Sequence, residues 1–151
     1  MRYLLYFVVT LLLVSSCNKE KRFSKKLMKG DNWTITNLTV DDESYGYYGN
    51  WLVEQDVNIY DSIPKIQWTS NGENATFQWQ FQDKGKTFEI VYKDPTCVNC
   101  TTPPEDLDFQ CYFLSGKYEV IKHKKDLMEF NSLNTIGFKG KEVKIKIERN
   151  N

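Results

Sequence analysis

The sequence predicts an all-β fold, an up-and-down antiparallel β-barrel of eight or nine strands behind a short N-terminal helix. Three observations carry this expectation. Aromatic residues make up 15% of the chain, and over much of it they alternate with polar ones. Turn dipeptides recur at short intervals between these runs. Two turns, placed independently of each other, assign the same side chains to one apolar face.

The helix comes first. Phe23, Leu27 and Met28 stand at helical spacing, and Gly30 follows as a stop. Trp33 and Ile35 then alternate, and the phase shifts at Asn37 to Leu38 and Val40, as a β-bulge in the first strand would make it. Leu52 to Tyr60 is assigned to a second strand. Asn71-Gly72 is a strong hairpin signal that pairs Trp68 with Ala75 and Ile66 with Phe77. Lys84-Gly85, placed as the next turn, pairs Phe81 with Phe88, Trp79 with Ile90 and Phe77 with Tyr92. Phe77 thus belongs to one face in both hairpins, and a slip of one residue would turn all these rings outward.

Ser115-Gly116 is read as a third hairpin, with Phe113 opposite Tyr118 and Cys111 opposite Val120. After a polar turn at His123 to Asp126, Met128 and Phe130 continue the pattern. Glu142 to Glu148 alternates, with Val143, Ile145 and Ile147 on the apolar side. Closing so long a meander into a barrel removes its exposed edges. A β-sandwich or an open sheet is the alternative architecture.

The start of the chain carries an address. Arg2 is followed by an apolar run from Tyr3 to Val14, then by Val14-Ser15-Ser16-Cys17. That run makes about 18 Å of helix, too short for a bilayer core of about 30 Å. The layout is that of a secretory signal peptide, and its end closely resembles the lipobox of bacterial, Bacteroidetes-type lipoproteins. The resemblance implies cleavage before Cys17 and acyl chains on that cysteine, with the membrane as partner. More than one acyl chain gives stable anchoring.

Asn18 stands where many such lipoproteins carry an inner-membrane retention aspartate, which implies the outer membrane. The following Asn-Lys-Glu-Lys-Arg lacks the acidic run linked to surface display, which implies the periplasmic side. The expected organisation is a signal peptide at 1–16, a lipidated cysteine and tether at 17–22, and a single domain at 23–151. The whole chain has 20 lysines and arginines against 20 aspartates and glutamates. Such a balance gives no electrostatic case for nucleic acid as a partner.

A short helix, a glycine and a tryptophan opening an up-and-down barrel resemble the lipocalin-like (calycin) group. The motif here is Gly30-Asp31-Asn32-Trp33, one residue longer than the G-x-W usual in that group. The resemblance implies a barrel that either holds a small apolar ligand or is filled by its own side chains.

Cys97, Cys100 and Cys111 remain once Cys17 is lipidated. In an oxidising compartment a disulfide is the default, and Cys100–Cys111, Cys97–Cys111 and Cys97–Cys100 are all open. Either bridge to Cys111 would contribute about 3 kcal/mol by chain entropy. No histidine follows Cys100, so a c-type haem is excluded, and the long loop is not the βαβ setting of a redox Cys-x-x-Cys. A zinc site using Cys111 and His123 meets the objection that the strand register places them on opposite faces. With one histidine, assigned to a solvated turn, no Ser–His–Asp arrangement has support. No enzyme activity, cofactor or metal is expected.

Ser44 to Trp51 sets Tyr45, Tyr47, Tyr48 and Trp51 among glycines between the first two strands. Aromatic planes with polar tips suit ring stacking and protein contacts. The expected function is a non-enzymatic envelope lipoprotein that binds a small apolar or amphipathic ligand inside the barrel. Tyr45, Tyr47, Tyr48 and Trp51 would close over it, and Trp68 and Trp79 would line it. The alternative is a filled, structural barrel whose loops bind another envelope protein or a glycan.

Overall fold

The computed structural model describes residues 19–55, 62–92 and 106–150. Helix α1 covers residues 19–30. Next come β1 (Asn32–Val40), β2 (Glu43–Ser44), β3 (Gly49–Val53), β4 (Lys65–Ser70), β5 (Glu73–Gln82) and β6 (Thr87–Val91). Helix α2 (Leu107–Phe113) precedes β7 (Gly116–His123), β8 (Leu127–Ser132) and β9 (Val143–Arg149). Each long strand pairs antiparallel with the next, and β1 also pairs with β9. The result is a closed eight-strand barrel, with the short β2 added on the end of β1.

The predicted registers hold at both central turns. Trp68 faces Ala75 and Ile66 faces Phe77 across β4 and β5. Trp79 faces Ile90 and Phe81 faces Phe88 across β5 and β6. The bulge in β1 falls between Ile35 and Asn37. It returns Leu38 to the interior after Ile35, which strict alternation would not do. Val143, Ile145 and Ile147 of β9 point inward as expected.

Three elements differ from the reading of the sequence. The second long strand starts at Gly49 and takes in Trp51, while residues 56–60 of the expected strand lie outside the described residues. Helix α1 includes residues 19–22, assigned above to the tether. Most importantly, Phe113 and Cys111 do not open a hairpin strand. Leu107, Gln110, Cys111 and Leu114 form the buried stripe of α2 and of its cap. Asp106 caps the helix, its carboxylate accepting from the Asp108 N–H at 3.0 Å.

Helix α1 closes one end of the barrel. Leu27 and Met28 enter the core, and Phe23 packs edge-on against Phe81 with centroids 5.7 Å apart. The chain leaves α1 through Asp31, which has φ of 60°, and it is this residue that takes the left-handed conformation. Gly30 serves another purpose: a Cβ there would lie 2.1 Å from Trp33 Nε1. The residue that lengthens the Gly–Trp spacing is therefore the turn residue, and the glycine makes room for the indole.

Candidate functional site

Among the described residues, aromatic rings pack across the barrel interior. Trp33, Trp51, Trp68 and Trp79 are all at most 1% exposed. The Trp51 ring lies 5.2 Å from Phe77 and 6.4 Å from Phe88. Phe88 in turn meets Phe130 at 4.4 Å, Phe81 at 5.1 Å and Trp79 at 6.0 Å. Rings from β3, β5, β6 and β8 thus touch across the barrel axis, at separations typical of packed aromatic pairs. Trp51, Trp68 and Trp79, expected to meet a ligand, are core residues.

Beside Trp79, a recess of about 210 Å³ opens between α1 and the β4–β5 wall, lined also by Glu20, Ser24, Ile63, Pro64 and Phe81. The indole N–H groups of Trp51 and Trp79 have no acceptor among the described residues.

The end opposite α1 is capped by α2 and by the tyrosine segment. Tyr45 is half-buried. Its ring lies 5.1 Å from Phe138 and 5.4 Å from Tyr47, and its hydroxyl donates to Gln110 Oε1 of α2. Burial, with Tyr47 close by, pushes the Tyr45 phenol up to about 12. Phe113 lies 6.2 Å from Phe138 and 5.9 Å from Tyr112. Gly49 turns the chain back into β3 with φ of 123°, and a Cβ there would strike the Thr69 carbonyl. Tyr48 is exposed, its hydroxyl 2.9 Å from Ser44 Oγ.

The tyrosine segment thus splits. Trp51 enters the core, Tyr45 closes the barrel end with Tyr47 half-buried beside it, and Tyr48 remains exposed at the rim. Leu133 and Ile136, 62% and 45% exposed, stand in the β8–β9 connection at the same end. Phe113, Gln110 and Phe138 were not anticipated there. The spacing of Leu107, Gln110, Cys111 and Leu114 after the acidic cap at Asp106 is the signal that could have found α2.

Cys111 is a free thiol, 1% exposed on α2. Burial, with Asp108 and Asp106 close by, raises its pKa well above the ordinary thiol value. A reduced, buried Cys111 is the state described. Its expected partners, Cys97 and Cys100, lie outside the described residues, as does Cys17.

His123 is not in a solvated turn. A bulge between Val120 and Lys122 exposes Ile121 and turns His123 back to the inner face, under α1. It stacks on Phe23 at 3.7 Å. Burial, together with Lys26 and Arg22, lowers its pKa to about 4. Cys111 on α2 and His123 at the α1 end of β7 lie at opposite ends of the barrel. Among the described residues, no group of three or more His, Cys, Asp or Glu side chains is placed to hold a metal.

No family model matches the chain, and no curated protein sequence matches it.

Proposed function

We propose that this is a lipid-anchored cell-envelope protein, non-catalytic, whose filled barrel is a rigid platform and whose α2 end binds another envelope protein. The observation that carries the reading is the packed interior. Four buried tryptophans and the phenylalanines between them occupy the volume a lipocalin-like ligand would need. Interaction then falls to the rim, where Tyr48, Leu133 and Ile136 offer aromatic and aliphatic surface above a rigid cap. The anchor rests on the Val14-Ser15-Ser16-Cys17 motif, and the outer-membrane, periplasm-facing address on Asn18 and the lack of an acidic run after it.

Site-specific photo-crosslinking in cells tests the rim. A crosslinker at position 48 or 136 is expected to capture a discrete protein, and one at Leu52 on the barrel wall is not. Equal capture at all three positions would reject the rim as the binding surface.

A second reading keeps a small apolar or amphipathic ligand, favoured by the recess beside Trp79 and the unpaired indole N–H there. Saturable change of tryptophan emission with fatty-acid or quinone probes, lost when Ile63→Trp fills the recess, would favour this reading over the first.

A further inference from the structure

The formal net charge of zero hides a strong polarity along the barrel axis. On α1 the exposed residues are Lys19, Arg22, Lys25 and Lys29, all basic and spaced to fall on one helical face. The opposite face is Phe23, Ser24, Leu27 and Met28, packed on the barrel. Two hairpin tips stand at the same end. The Lys84 N–H donates to Glu20 Oε1 at 2.7 Å, and His123 stacks under Phe23. These tips add the exposed Lys84, Lys86, Lys124 and Lys125, and Lys65 stands at this end too, against the exposed Asp31, Glu54, Asp83 and Asp126.

At the other end the exposed charges are mainly acidic, with Asp41, Asp42, Glu43, Glu73 and Asp106 against Lys117, Lys139 and Lys141. The ion pairs among the described residues are Lys122–Glu129, Lys144–Asp42, Lys144–Glu142 and Lys146–Glu148. None of them neutralises the exposed face of α1. Lys19 and Arg22, near the start of α1, oppose its dipole, whereas Lys29 in its last turn complements it, so helix stability does not explain the first two.

We propose that the α1 end is a docking face for an anionic phospholipid surface, and that it holds the barrel upright with α2 pointing away from the membrane. Charge complementarity selects the partner: a flat array of lysines suits a sheet of phosphodiester headgroups, and each cation near such a surface adds to the attraction. Cys17 precedes the start of the described helix by two residues, so acyl chains on it would bring this face to the headgroups. That orientation rests on the proposed acylation; the charged face does not.

The test uses a chain of residues 18–151, free of acyl groups. Every strand of the closed sheet and both capping helices lie within it. It should sediment with vesicles of phosphatidylcholine containing phosphatidylglycerol, should not sediment with phosphatidylcholine alone, and should lose binding as salt rises. The variant Lys25→Gln/Lys29→Gln/Lys125→Gln, at exposed positions, should keep the thermal midpoint. It should bind roughly a hundredfold more weakly, at about fivefold per charge.

A control variant, Lys139→Gln/Lys141→Gln, should bind as the parent does. No preference for the anionic vesicles, or equal loss in both variants, would overturn the proposal. Whether Cys17→Ser releases the full chain from membranes is read separately, so failure of the anchor and failure of the face give different results.

Discussion

The Trp33 indole lies directly against Gly30, and its Nε1 donates to the Leu27 carbonyl at 2.9 Å. One side chain therefore satisfies a carbonyl at the end of α1 and seals the helix onto the barrel. Any Cβ at position 30 meets the ring. Gly30→Ala should destabilise the protein by about 1–3 kcal/mol, the usual cost of overpacking, and denaturant unfolding measures it. A neutral or stabilising effect would mean that the indole is not seated on the helix.

The filled interior makes its own prediction. Trp51→Ala should cost about 3–5 kcal/mol, because a fully buried indole is removed from between Phe77 and Phe88. Trp51→Phe keeps a ring there and should cost less. Denaturation midpoints of the two variants, at an unchanged m-value, check the order.

His123 should make the protein sensitive to mild acid. Its folded pKa, about 4, lies below its ordinary 6.5. The unfolded chain therefore binds the proton more readily. The stability this contributes is fully present above about pH 6.5 and is lost progressively as pH falls toward about 4. Thermal midpoints should drop through that window, and His123→Phe, which preserves the stack on Phe23, should flatten the upper part of the curve. An identical pH profile in the variant would show that carboxylates alone set it.

Cys111 should be inert in the folded state. Its burial and raised pKa predict that thiol reagents label it only on unfolding, with a denaturant dependence that follows the global transition. Non-reducing peptide maps should show no bridge between Cys111 and either Cys97 or Cys100. A Cys111 bridge in the mature protein would contradict the packing of α2.

Tyr45→Phe should loosen the cap at the α2 end. The change removes the hydroxyl that donates to Gln110 and leaves the ring against Phe138, for a loss of about 1 kcal/mol. Hydrogen exchange should accelerate in α2 while β5 and β6 stay protected. Equal acceleration throughout would mean that the cap unfolds only with the barrel.

Much of the sheet was legible in the residues. Asn71-Gly72 and the Lys84-Gly85 turn set registers that the strands keep, because alternation is local and a slip of one residue would expose every ring from Ile66 to Ile90. The bulge after Ile35 announced itself in the same way. What tertiary structure decided lies beyond local alternation. Hairpin pairing continued through Ser115-Gly116 puts Cys111 on a strand, whereas the stripe from Leu107 to Leu114 finds a better burial as a helix over the barrel mouth. His123 turns inward because of a bulge at Ile121, which the sequence does not mark.

Which aromatic rings meet inside the barrel was likewise out of reach. Alternation reports that Phe77, Trp79 and Phe88 leave water, but not which rings meet across the barrel, nor that Trp51 joins them. That depends on which strands face each other across the closed sheet, a relation between residues far apart in the chain. The same closure gathers the lysines of α1 and of two distant hairpins at one end, so a chain that is neutral by composition becomes a polar object only once it is folded.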